Sequence, residues 1–127
     1  MNDKTKTIAL TVGAVVLAGV FVIFGAGKFI DPAKWIEKFS VWGIPTWFVS
    51  VSGALELAGA VGLLIPVLRG VAGIGLALFM VGAVSNHVVH AEIGMIFVAG
   101  AILASSAAVG WLRLPETVAF LRSRALA

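Results

Sequence analysis

One carboxyl group stands inside an otherwise uncharged apolar stretch of this sequence. Glu56 lies about eight residues into the run from Phe48 to Leu68, and a carboxylate near the middle of a membrane helix costs on the order of 2.5–3.5 kcal/mol. Such a group must pair with a cation or take up a proton. Polar residues that end two other apolar stretches are its candidate partners: Lys28, Asn86, His87 and His90.

These five residues are compatible with two kinds of chemistry. In one, Glu56 pairs with Lys28 or Asn86 and only fixes the register of the helices. In the other, the five residues line a polar pocket that binds a small molecule or handles protons, because ionisable groups inside a membrane usually mark function. The helical neighbours of Glu56 are all small or polar, so we expect it to point into a helix bundle: Ser52, Gly53, Gly59 and Ala60.

The spacing His87-x-x-His90 also resembles half of a metal site, because residues i and i+3 of a helix can share a ligand, with Glu56 as a third donor. We expect no metal there, since a set of donors is not yet a geometry. A haem is not expected either, because both histidines lie on one helix. Cysteine is absent, which excludes disulfides, thiolate metal sites and thiol redox chemistry within this chain.

Composition places these residues in a membrane protein. The chain is 61% hydrophobic and 12% charged, whereas a soluble domain carries roughly 25% charged residues. Each apolar stretch of about 20 residues can cross a hydrocarbon core of about 30 Å. We therefore predict one all-α domain, residues 1–127, that forms an integral membrane four-helix bundle with spans at about 8–27, 48–68, 71–89 and 93–112. The sequence has no basic run interleaved with aromatics, so no nucleic-acid partner is expected.

Residues 32–42 differ from the spans. Asp31 can cap a helix whose first position is Pro32, and Gly43 followed by Pro45 ends it. We predict an amphipathic helix in the membrane interface between the first two spans; the alternative is a solvated loop. Its apolar and charged faces are Trp35, Ile36, Phe39 and Trp42 against Lys34, Glu37 and Lys38.

Basic residues predict the orientation. With four spans, six Lys and Arg residues share one side with both termini, and three lie on the other side. The positive-inside rule then places both termini in the cytoplasm of a multi-pass cell (inner) membrane protein. The cytoplasmic tail, 113–127, begins a short surface helix at Pro115 and Glu116.

Small residues recur at intervals of four in two of the spans. Such stripes usually mean close packing between helices of one chain, and a homo-oligomeric contact is the alternative. The two stripes are Ala54, Ala58 and Gly62 in the second span, and Gly100, Ala104 and Ala108 in the fourth.

Three segments together resemble the DoxX-like family over roughly residues 10–112: Phe24 to Phe29, Glu56 to Leu64, and Arg69-Gly70 before an Ala/Gly-rich third span. The resemblance implies a four-helix membrane fold, and Lys28 and Glu56 match positions that the family usually keeps polar. Relatives in that group include a subunit of thiosulfate:quinone oxidoreductase, partners of superoxide-handling systems and a chaperone for acetylcholine-receptor assembly. They share no single activity, so the fold transfers poorly to function.

We therefore expect a small membrane component that assists or anchors a redox or assembly system, through a membrane or peripheral protein partner. A polar pocket near Glu56, toward the outer face, would bind a quinone-like or other lipid-soluble molecule; no cofactor motif is present, and quinone is the candidate. One alternative is a small transporter, although the four spans show no inverted repeat or broken helix pair. The other is a structural or chaperone-like protein without a ligand site.

Overall fold

The computed structural model describes residues 2–126, and these form helices joined by short turns. The elements are α1 (Asp3–Ile30), α2 (Pro32–Val41), α3 (Trp47–Leu64), a 3₁₀ turn (Pro66–Leu68), α4 (Arg69–Val89) and α5 (Ile93–Ala125). Four helical segments are long and apolar enough to cross a membrane, whereas α2 is too short. The predicted all-α membrane bundle is therefore confirmed.

Two antiparallel helix pairs make up the bundle. α1 packs mainly against α3, and α4 packs mainly against α5. At one end, called here the α2 end, lie residues 28–47 and 86–92. The opposite end, called the terminal end, holds the start of α1, the turn between α3 and α4, and the last turns of α5. Large apolar side chains such as Ile23 and Phe97 are exposed around the bundle, as a surface that faces lipid requires.

Glycines let the helices of each pair approach closely. A Cβ atom added to Gly25 of α1 would lie 3.0 Å from the carbonyl oxygen of Gly53 in α3. In the other pair, a Cβ on Gly73 would lie 2.6 Å from the backbone nitrogen of Gly110. Without a hydrophobic drive inside lipid, such backbone contact holds helices together.

The predicted stripes of small residues do not make these contacts. Of their members only Gly62 is buried, where its added Cβ would meet Ala72 at 2.7 Å. The expectation of close packing within the chain is wrong for the alanines, because the helices are rotated so that glycines outside the stripes face the neighbouring helix. The four exposed alanines are Ala54, Ala58, Ala104 and Ala108. A homo-oligomeric contact through them stays a prediction.

The segment between the first two spans is helical, as predicted. The side chain of Asp31 accepts a hydrogen bond from the backbone N–H of Lys34, Pro32 is the first residue of α2, and Gly43 has a φ of +75° just after its end. The aromatic face of α2 is turned toward the bundle, and Phe39 is buried.

The tail is not a separate surface helix. α5 runs without a break from Ile93 through Pro115 to Ala125. Proline has no N–H for the usual bond four residues back, yet the helix is held on both sides of it. Thr117 Oγ1 donates to the carbonyl oxygen of Val67 at 2.6 Å, and Arg113 pairs with Glu116. The expectation of a helix that starts at Pro115 is therefore wrong.

Candidate functional site

A buried ion pair joins α1 to α3 at the α2 end. Lys28 Nζ donates a hydrogen bond to Glu56 Oε1, and the two residues are only 5% and 3% exposed. Lys28 stands in the last turn of α1, and Glu56 lies in the middle of α3. The expectation that Glu56 points into the bundle and contacts one of its named partners is confirmed.

The sequence around the pair explains why two charged side chains fit between packed helices. A Cβ on Gly53 would lie 3.1 Å from Lys28 Cβ, and one on Gly25 would lie 3.2 Å from Glu56 Cβ. The two glycines therefore leave room for the stems of the charged residues. Ser52, which precedes Gly53, is fully buried and donates to its own helix, to the carbonyl oxygen of Val49 at 2.9 Å.

The helix α2 covers this pair. Lys28 Nζ lies 4.2 Å from the centre of the Trp35 ring, a cation–π contact, and Trp35 in turn meets Phe24 and Phe39 edge to ring. Trp35 thus shields the charged pair from the side of the membrane surface. Low dielectric on all sides strengthens the attraction within the pair.

A second polar cluster joins α2 to the turn between α4 and α5. Glu92 Oε1 accepts a hydrogen bond from Trp42 Nε1 at 3.0 Å and lies 3.1 Å from His87 Nδ1. A carboxylate only accepts, so Nδ1 of His87 carries the proton. The hydrogen bond from His87 is the main cause that lowers the pKa of Glu92, and the Trp42 N–H acts in the same direction. We call Trp42, His87 and Glu92 the Glu92 cluster.

Asn86 and His90 hydrogen-bond to neither cluster, although the His90 ring packs against that of Trp42 with ring centres 6.2 Å apart. Asn86 Nδ2 donates to the carbonyl oxygen of Gly82 at 2.9 Å, and His90 Nδ1 donates to the carbonyl oxygen of Asn86 at 2.8 Å. Both side chains are therefore engaged with their own helix, and neither contacts Glu56. Among residues 2–126, no three His, Cys, Asp or Glu side chains converge as a metal site would require.

A cavity of about 90 Å³ lies between the two helix pairs at the α2 end. An engineered apolar cavity of roughly 150 Å³ holds one benzene, so a cavity of this size admits a short alkyl segment or the edge of a ring, and a whole ring requires its side-chain walls to move. Every helix contributes to its wall. The lining is Phe21, Phe24, Lys28, Trp35, Lys38, Phe39, Trp42, Glu56, Phe79, Met80, Ala83, His87, Met95, Val98, Ala99 and Ile102.

Three of the five residues predicted to bind a ligand thus line one cavity, namely Lys28, Glu56 and His87. Sequence reasoning missed Lys38 and the role of Glu92. The sequence pattern assigns Lys38 to the charged face of α2, and it gives no sign that Glu92 contacts residues of other segments. The amphipathic pattern of α2 is compatible with the position of Lys38, because the stem of a lysine can follow an apolar surface while its ammonium group reaches around that surface.

Comparison with known proteins decides the family. The model of the DoxX-like family matches residues 12–109, well over half of the chain. The chain belongs to the DoxX-like family. The match covers both members of the ion pair and most of the residues that line the cavity. Searches of curated proteins and of solved structures found no match for this DoxX-like chain.

Most of the cavity wall in this DoxX-like protein is apolar. Large aromatic and methionine side chains offer an apolar wall that adapts to a flat molecule. The charged groups lie only at the side of the cavity nearest α2. Such a cavity can hold the apolar body of a small molecule and orient its polar head toward the membrane surface.

Proposed function

We propose that this DoxX-like protein binds a small lipid-soluble molecule, of which a quinone-like ring is the leading candidate, in the cavity beneath α2. The observation that carries the proposal is the position of the buried Lys28–Glu56 pair in the wall of an otherwise apolar cavity. A purely structural ion pair gains nothing from an adjoining void, because empty space forfeits packing contacts.

The polar groups in the wall match the needs of such a ligand. A quinone presents carbonyl oxygens that accept hydrogen bonds, and lysine ammonium groups are donors only. The rings of Trp35 and Trp42 line the cavity and add apolar surface that a flat ring can contact. The protein would then act as an accessory component of a membrane redox or assembly system.

Tryptophan fluorescence tests the binding. In a Trp47→Phe/Trp111→Phe background, the two remaining indoles both line the cavity, so a benzoquinone with a short alkyl tail should quench them saturably. Ala83 lines the cavity, and Ala83→Phe should fill it and weaken binding by about tenfold or more, which equals about 1.4 kcal/mol. Glu56→Gln should fold, because it keeps shape and hydrogen bonding, and should change the affinity.

The matched control is Ala101→Phe, the same substitution at an exposed position of α5. It should leave the affinity unchanged. Quenching that does not saturate, or that is equal in the Ala83→Phe and Ala101→Phe variants, would contradict the proposal. If the protein with Trp35 and Trp42 as its only tryptophans folds but does not bind the benzoquinone, the ion pair has a structural role alone.

We also propose that both termini face the cytoplasm of a cell membrane, from the excess of Lys and Arg at the terminal end. Reporter fusions at the C-terminus that are active only in the cytoplasm are the expected result. Activity only outside it would overturn the orientation and leave the ligand proposal intact.

A further inference from the structure

Lys38 differs from the other charged groups in the cavity wall. Lys28 is neutralised by Glu56, and the carboxylate of Glu92 is held by Trp42 and His87. Lys38 is half-buried and lines the cavity, yet among residues 2–126 its ammonium group forms no ion pair and no hydrogen bond. Of the two ammonium groups in the wall, that of Lys38 is therefore the one without a direct partner within the described chain, and its charge acts on the Glu92 carboxylate only from beyond ion-pair distance.

Aromatic rings hold this ammonium group at the mouth of the cavity. Lys38 Nζ lies 5.6 Å from the centre of the Trp35 ring and 5.3 Å from that of Trp42. The Lys34 ammonium group lies 5.5 Å from the Trp35 ring as well. Cation–π contacts orient a cation but leave its charge in place. Glu37, which stands between the two lysines in sequence, is exposed and pairs with neither.

We infer that the ligand of this cavity carries an anionic oxygen group that lies against Lys38, with its apolar body inside the cavity. The inference rests on the proposed function, because it assigns the chemical class of the ligand at that same site. Carboxylate, phosphate and ionised phenol meet the requirement, and so does a quinone-like ring that bears an ionised hydroxyl group. A half-buried ammonium group without a partner gains a charge-assisted hydrogen bond from such a head, whereas a neutral alcohol supplies a weaker one.

The test compares two probes that differ only in the head group. 2-Bromododecanoate and 2-bromododecan-1-ol carry a bromine beside the head group, where it can quench Trp35 and Trp42 on contact, and both are added to nanodiscs of zwitterionic phosphatidylcholine at equal mole fraction in the bilayer. In the Trp47→Phe/Trp111→Phe background, the carboxylate should bind about three- to tenfold more tightly than the alcohol, the range of a partly screened charge contact.

Variants of Lys38 test whether this residue causes the preference for the carboxylate over the alcohol. Lys38→Gln should remove the advantage of the carboxylate and leave the affinity for the alcohol unchanged, and Lys38→Arg should restore the advantage. Lys6→Gln, a matched loss of charge at the terminal end, should change neither affinity. Equal affinity for the two probes in the parent protein, or a preference that survives Lys38→Gln, would overturn the inference while binding to the cavity stands. If neither probe binds while the benzoquinone still quenches saturably, this inference fails and the proposed function stands; if the benzoquinone does not bind either, both fail.

Competition distinguishes the sources of the anionic head. Displacement of the bromododecanoate by phosphatidylglycerol in the nanodisc, but not in Lys38→Gln, would identify a lipid phosphate. Displacement by inorganic phosphate in solution would identify a free anion. If neither competes while the preference holds, the ligand is a free amphiphile whose own chain occupies the cavity.

Discussion

The buried polar side chains that join one element to another have different kinds of partner at the two ends of the bundle. At the terminal end, buried side chains donate to backbone carbonyls of the turn between α3 and α4. Arg69 Nε donates to the carbonyl oxygen of Leu63 at 2.7 Å, and Thr117 Oγ1 donates to that of Val67. The carbonyl of Leu63 lies in the last turn of α3, where helical carbonyls lack their usual partners, and that of Val67 lies in the 3₁₀ turn that follows.

At the α2 end, side chains pair with side chains from other helices. The Lys28–Glu56 pair joins α1 to α3, and the Glu92 cluster joins α2 to the turn before α5. The cavity lies beside both.

The comparison separates structural from functional use of polar groups. A donor that satisfies a carbonyl at a helix end completes the fold and leaves nothing for a ligand. Charged side chains that pair across helices beside open space can change partners at lower cost to the backbone. We therefore expect substitutions at the terminal end to change stability alone, and substitutions at the α2 end to change stability and binding together.

The largest effect is expected where a buried charge loses its partner. Glu56→Leu leaves Lys28 buried and unpaired, and should lower the free energy of unfolding by about 3–5 kcal/mol. The double variant Lys28→Met/Glu56→Leu should recover much of this loss, because no isolated charge remains. Unfolding by sodium dodecyl sulfate in micelles, followed by circular dichroism, measures both. If the Glu56→Leu protein is as stable as the parent, the ion pair does not stabilise the α2 end, and the contrast between the two ends fails.

Added methyl groups should affect the terminal end more than the α2 end. A Cβ on Gly70 would lie 2.5 Å from the backbone nitrogen of Leu114, whereas one on Gly53 would lie 2.9 Å from a carbon of the Phe29 ring and 3.1 Å, a milder contact, from the carbonyl oxygen of Gly25. Backbone cannot move aside as a ring can, so Gly70→Ala should cost about 1–3 kcal/mol and Gly53→Ala less. Gly75→Ala on the same helix as Gly70 has open space and should be neutral or slightly stabilising. If Gly53→Ala lowers the stability more than Gly70→Ala in the same unfolding assay, the rigidity of the backbone does not set the cost.

Removal of one donor at the terminal end tests whether the two ends are independent. Thr117→Val keeps the shape of the side chain and leaves the carbonyl of Val67 without this donor, so it should cost about 1 kcal/mol. Quinone affinity measured by tryptophan quenching should stay at the value of the parent protein. A change in affinity would show that the ends are coupled through α5.

The smallest effect concerns pH at the α2 end. The pKa of Glu92 is lowered in the folded protein, so its stabilising contribution is complete above the ordinary glutamate range and is lost as pH falls through the folded pKa. Acidification from about pH 5 to about pH 3 should therefore weaken the contact of Trp42 with Glu92. Emission of a protein that keeps Trp42 as its single tryptophan should shift over this range. Glu92→Gln, which cannot titrate, should abolish this shift, and a shift that persists in that variant would assign it to another group.

Local signals were enough to predict much of the α2 end. Its caps gave the bounds of α2 to within a residue, since Asp31, Pro32 and Gly43 act through their own backbone geometry. The small residues around Glu56 predicted that it points inward. The choice among its candidate partners was not predictable, because Lys28, Asn86 and His87 all end helices at a similar depth.

Sequence by itself determined the number of spans, the helical nature of 32–42 and the burial of Glu56, because length, apolar character and caps are properties of each segment alone. The tertiary structure decided which glycines touch, that α5 continues past Pro115, that Lys28 is the partner of Glu56, and that Lys38 reaches the cavity. Each of these depends on the rotation of one helix against another. That rotation is fixed by close contact between surfaces far apart in the chain, which no single segment encodes.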